Sequence, residues 1–210
     1  MQSNQEFSWT DYPVTFSLSI TLILVYSVLT LIYPSTLALN DEAVHDWGQV
    51  NELVFHGELW RLFTAIFVHG SVVHLLSNVL FLIVFGLRSE ELASSEKLFI
   101  CFFLAGLGGN ILSLLWGLSS VSVGASGAVF GIFGMNLMIL RKNYRKETRG
   151  VLFFALIFFM LTISQQTNVL AHLGGLILGV FLGYLWEKQE QKKYKITKIR
   201  RKRYQTRRRR

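Results

Sequence analysis

Cysteine is nearly absent: Cys101 is the single thiol in 210 residues, so no intramolecular disulfide can form and the redox compartment is unreadable. It reads as packing within an apolar run. Acidic residues are scarce where they would matter most. None of the 13 Asp and Glu falls inside a long apolar run, which excludes a buried Ser-His-Asp arrangement and any pair of aspartates at membrane depth. His69, His74 and His172 come without a glutamate at HExxH spacing, so no metal and no cofactor is expected. Basic residues, finally, are almost confined to one side of the chain, as the order of the apolar runs makes plain.

What the chain has in abundance is apolar sequence, 51% of residues with a mean hydropathy of +0.41, gathered in blocks. The blocks predict six membrane-spanning helices, roughly residues 14–33, 72–87, 97–116, 126–140, 150–164 and 169–186. The expectation is an all-α polytopic membrane protein. Its parts are a short segment 1–13, a membrane domain 14–186 and a tail 187–210. No basic residue precedes the first run and no small-residue cleavage pattern follows it, so it reads as a helix of the mature chain. Alternating six spans leaves only Arg61 on the outer side, so 20 of 21 basic residues obey the positive-inside rule with both termini cytoplasmic.

The even-numbered spans all run inward, which allows depths to be compared. His74 lies 14 residues before Arg88, Ser126 lies 15 before Arg141, and His172 lies 16 before Lys188. At 1.5 Å per residue these separations are ~21, ~22 and ~24 Å, so all three side chains sit a few ångströms below the outer surface. A lone intramembrane histidine is often just a packed, hydrogen-bonded group, and a lone serine often bonds to its own helix. Their conjunction at one depth points to chemistry. His172 is suited to take the Ser126 proton. Gly124 and Gly127 flank Ser126 and permit a tight backbone and close approach of another chain. If a helix begins at Ser126, its free N–H groups and dipole favour an oxyanion. His74 and Asn78, four apart, share a helix face and can both donate to the same developing charge. Phe130, one turn after Ser126, can stack on the His172 ring.

Glycines recur every four residues at 175, 179 and 183, and others lie at 127, 131 and 134, so the fourth and sixth spans are expected to touch. Asn110 and Asn136 read as interhelical hydrogen-bond partners. The outer segment becomes amphipathic at Leu59–Phe63, where Trp60 and Arg61 suit the headgroup level. The tail carries 13 Lys or Arg in 24 residues and reads as disordered until bound to anionic lipid; nucleic acid, with Tyr194 and Tyr204 stacking, is the lesser reading.

Trp60-Arg61, His69-x4-His74-x3-Asn78, Gly124-Ala125-Ser126-Gly127 and Ala171-His172-Leu173-Gly174-Gly175 together resemble the rhomboid intramembrane serine proteases. The resemblance implies Ser126 as nucleophile, His172 as base, and His74, Asn78 and the Ser126 N–H around the oxyanion. It implies a rhomboid-like bundle of six helices around a hydrated cavity open to the outside, and single-span membrane protein substrates. It also implies entry between the second and fifth spans, where Phe153, Phe154, Phe158 and Phe159 would form a gate or face lipid. Two other function classes compete: a proteolytically silent relative that binds membrane clients, and a transporter relaying protons through His74 and His172. The first calls for loss of the serine or histidine, the second for acidic partners, and neither feature is present. The compact plan without a targeting segment leads to an expected location in a bacterial cytoplasmic membrane.

Overall fold

Four helices in the computed structural model are long and apolar enough to cross a membrane. It describes residues 8–34, 37–141, 149–150, 152–154, 156–157 and 168–191, together with the backbone of 192–208. The fifth expected span, 150–164, with Phe158 and Phe159, lies largely outside the described residues, as do residues 1–7 and most of the basic cluster after Arg141.

Helix α1 (Pro13–Ile32) opens with proline at its first position, where the missing N–H costs nothing, and ends just ahead of Pro34, which disfavours helical geometry before it. Three short helices, α2 (Asp41–Trp47), α3 (Asn51–Phe55) and α4 (Arg61–Thr64), fold the outer segment. Helix α5 (Val72–Leu92) is capped by Ser71, whose hydroxyl accepts the His74 N–H, and α6 (Ser95–Ser113) is capped by Ser94. Helix α7 (Ser126–Leu140) is short, and α8 (Val169–Arg208) is the longest. Strands β1 (Gln49–Val50) and β2 (Val121–Ser122) pair antiparallel, Gln49 opposite Ser122, and so tie the outer segment to the loop before Ser126.

Helix α7 is the axis of the molecule. Twelve of its fifteen residues are buried against α5, α6 and α8, which explains how a helix only ~22 Å long can lie in a bilayer: protein covers it. The expected glycine contact is present. A Cβ on Gly175 would collide with the carbonyl of Gly127, and one on Gly179 with that of Gly131, so α7 and α8 touch backbone to backbone. On the other flank Asn136 donates to the Phe85 carbonyl (2.9 Å) and accepts from Ser89 (2.8 Å), joining α7 to α5.

Two boundaries depart from the sequence reading. Helix α5 continues past residue 87 to Leu92 and brings Glu90 into the helix end. There the carboxylate accepts the Thr15 N–H (2.8 Å) and hydroxyl (2.7 Å) and the Ser95 hydroxyl, stitching α1, α5 and α6 together. Helix α8 runs on to Arg208, across the stretch expected to be a disordered tail. Lys, Arg and Gln are good helix formers, and after Gly183 no glycine or proline interrupts them.

Candidate active site

Ser126 is the first residue of α7, and no side chain caps that helix end. The first N–H groups of the helix are thus left for another acceptor, with the positive end of the dipole behind them. Preceding it, Gly124 has φ +117°, a region closed to other residues without strain. A Cβ there would also lie 2.7 Å from the His74 ring. Conformation and contact independently demand glycine at this position.

Ser126 and His172 meet. His172 Nε2 lies 2.8 Å from Ser126 Oγ, both side chains buried, although 46 residues separate them. Nε2 faces the hydroxyl, so it accepts when Ser126 donates and the ring proton sits on Nδ1. Nδ1 is buried and has no hydrogen-bond partner among the described residues, so no third side chain orients the ring from that side. Packing does so instead. Phe130 stacks on His172 with ring centroids 4.6 Å apart and planes 30° apart.

His74 and Asn78 stand on the adjoining face of α5. Asn78 donates one amide proton to the His74 carbonyl at 2.9 Å, and its Oδ1 is buried without a partner among the described residues. His74 lies edge-on to His69, centroids 5.1 Å apart, and against Gly124.

His69, quoted in the sequence pattern without a role, proves to be a brace. It is completely buried, with Nδ1 3.1 Å from the Phe67 carbonyl and Nε2 3.4 Å from the Ala125 N–H. Accepting from Ala125 requires a bare Nε2, hence the Nδ1–H tautomer. Burial, and secondarily the neighbouring His74, push its pKa down to about 3, against the opposing pull of the Phe67 carbonyl.

Arg61 is 5% exposed and folded inward. Its guanidinium donates to Glu58 (2.6 Å) and to the carbonyls of His45 (2.6 Å), Asp46 (3.1 Å) and Gly48 (2.9 Å). Carbonyls at the end of α2 have no helical partner, and a planar fork of donors satisfies several at once. Trp60 remains half-exposed beside Trp47 and Arg61.

Sequence reasoning missed a second set of polar residues. Gln49 Nε2 lies within 3.0 Å of Asn51, the Asn110 carbonyl and Ser113, and Asn51 donates to the Ser113 and Gly117 carbonyls. Asn110 donates to the Leu62 carbonyl at 2.8 Å and so joins α6 to α4, an interhelical bond as expected, with one of the short outer helices as the partner. The only signal for this set was amides next to apolar sequence, which occurs on many surfaces.

Residues 56–189 match the Rhomboid domain family. RHOMBOID-like protein 1 of Arabidopsis thaliana is 35% identical over 162 residues, covering 74% of this chain and 41% of its own length. Rhomboid-like protease 3 of Toxoplasma gondii is 28% identical over 198 residues, covering 87% of this chain and 75% of the relative. The Bacillus subtilis (strain 168) protein YdcA is 34% identical over 149 residues, 67% of this chain and 74% of its own. The chain spans about half the length, or less, of the first Arabidopsis relatives it matches.

Proposed function

The chain belongs to the rhomboid family of membrane proteins, and from that premise we propose that it is an intramembrane serine endopeptidase. The observation that carries this reading is the 2.8 Å contact between His172 Nε2 and Ser126 Oγ. In the proposed reaction Oγ attacks the carbonyl carbon of a substrate peptide bond while its proton passes to Nε2. The tetrahedral oxyanion is held by the Ser126 N–H and the side chains of His74 and Asn78. Collapse breaks the C–N bond, and the imidazolium returns its proton to the leaving amine. Water, deprotonated by the same nitrogen, then hydrolyses the acyl-enzyme.

The proposed substrates are single-span membrane proteins, cut near the outer end of the transmembrane segment. A helical peptide bond is shielded by its own hydrogen bonds, so a segment with glycine or another helix breaker exposes its carbonyl at lower cost. The proposed topology has six spans, both termini cytoplasmic and a site open to the extracytoplasmic side, and the proposed location is a bacterial cytoplasmic membrane. Anionic lipids are the proposed partners of the basic stretch. Attraction to headgroups fades within a Debye length of about 8 Å, so the basic residues that lie nearest the membrane domain in sequence are expected to contribute most.

Purified wild type and Ser126→Ala, each in liposomes with a single-span reporter bearing a small residue before a helix-breaking segment, test the activity. Cleavage by wild type alone is expected. Equal turnover by the variant removes Ser126 as nucleophile, and a folded wild type that cuts no such reporter removes the protease reading.

A further inference from the structure

Two hydrogen bonds between the same pair of chain segments lie one above the other at the outer end of the bundle. Ser126 meets His172, and four residues earlier on each segment Ser122 meets Asn168, with Asn168 Nδ2 2.9 Å from Ser122 Oγ. Both pairs are 46 residues apart in sequence. We propose that Asn168 and Ser122 form a positioning pair that sets the rotation and height of α8, and thereby holds His172 Nε2 on Ser126 Oγ. The proposal rests on the protease reading of that site.

Asn168 stands immediately before α8, and its Oδ1 lies 3.3 Å from the Ala171 N–H, which also approaches the Asn168 carbonyl at 3.1 Å. That donor fixes the amide's orientation. With oxygen turned to the Ala171 N–H, nitrogen must face Ser122; the flipped amide would set donor against donor. Asparagine is thus a helix cap on one side and a tether on the other.

Packing alone leaves this job undone. The glycine contacts between α7 and α8 set how close the helices come, but contacts among small residues are smooth and non-directional. They resist separation better than they resist rotation or sliding. A side-chain hydrogen bond is directional, and one turn of helix transmits its position to His172 with little slack. Ser122 can serve as the fixed end because its own strand pairs with β1, where Gln49 faces it, and the next residues are held by Gly124 N–H to the Ala65 carbonyl (2.8 Å) and by His69. Among the described residues, Asn168 is the only side chain besides His172 that hydrogen-bonds α8 or its cap to this loop.

Four variants of the full chain in liposomes test it: Ser122→Ala, Asn168→Ser, which keeps a capping oxygen but loses the reaching amide, their double variant, and Ser122→Thr, which keeps the hydroxyl. Each is measured for reporter kcat and KM, for the rate of Ser126 labelling by a fluorophosphonate, and for thermal unfolding. Ser122→Ala and Asn168→Ser are each expected to lower kcat and labelling about tenfold with KM and the unfolding midpoint unchanged, as a small misplacement of a reacting pair does. The double variant should lose no more than either alone, and Ser122→Thr should retain the wild-type rate. Wild-type kcat and labelling in both single variants overturn the proposal. So do losses that multiply in the double variant, or a change confined to KM. A wild type that the fluorophosphonate does not label at Ser126 instead overturns the protease reading beneath it.

Discussion

At the residue scale, the site is specified by side chains whose replacement has one dominant consequence. Gly124→Ala meets two obstacles, a φ of +117° and the His74 ring 2.7 Å from the new methyl. The backbone strain is about 1–3 kcal/mol, and the displaced ring belongs to the proposed oxyanion site. We expect a loss of turnover well beyond the loss of stability, measured as kcat against unfolding midpoint; a drop in midpoint alone would make the glycine purely structural. His69 gives a pH dependence. Its folded pKa of about 3 lies below the ordinary 6.5, so the unfolded chain binds the extra proton. Stability from this residue is therefore whole above about pH 6.5, is lost as pH falls, and stops changing below about pH 3. Replacing it by asparagine should flatten that part of the midpoint-versus-pH curve; an unchanged slope would assign the dependence to other groups.

At the element scale, the α7–α8 contact is the frame on which the proposed Ser126–His172 dyad is mounted. Gly179 lies about one turn beyond Gly175, where an added Cβ would fall on the Gly131 carbonyl. Gly179→Val adds bulk where backbone meets backbone and cannot be absorbed by a rotamer change, with an overpacking cost of about 1–3 kcal/mol. The expected result is a lower unfolding midpoint together with slower fluorophosphonate labelling of Ser126, because the wedge moves α8 as a body. Normal labelling in a destabilised variant would show that the outer end of α8 is positioned independently of its middle. The short outer helices are held differently. Arg61 replaces what a core would supply, and Arg61→Ala leaves the carbonyls of His45, Asp46 and Gly48 without their donor. Charge-assisted bonds of this kind are each worth about 1.5–3 kcal/mol, so the midpoint should fall sharply, and Arg61→Lys should recover little because a single ammonium lacks the fork.

At the scale of the whole molecule, charge asymmetry dictates orientation while apolar length dictates insertion. Cys101 is fully buried, so a single introduced cysteine reports its own side of the membrane. If both termini are cytoplasmic, as proposed, Glu52→Cys is labelled from outside in intact cells and Lys198→Cys only after permeabilisation. The reverse pattern would overturn the orientation. A chain ending at Gln191 should also lose any dependence of reporter cleavage on the anionic lipid fraction, since it lacks the basic turns that sense the surface.

The residue types that meet at the candidate site, their order along the chain and the helical character of the described spans were legible in the chain, because long apolar runs declare themselves in hydropathy. Ser126, His172, His74, Asn78 and Phe130 could be placed on named helices from residue counting alone. Counting could not say which side chains touch. The 2.8 Å Ser126–His172 contact, the inward turn of Arg61, the brace at His69 and the Ser122–Asn168 pair depend on helix rotation and on loop paths between distant segments. Those are decided by packing. In lipid, burial of apolar surface holds each helix at its depth but is indifferent to which neighbour it faces, so directional hydrogen bonds and backbone contacts at glycine made the final choice.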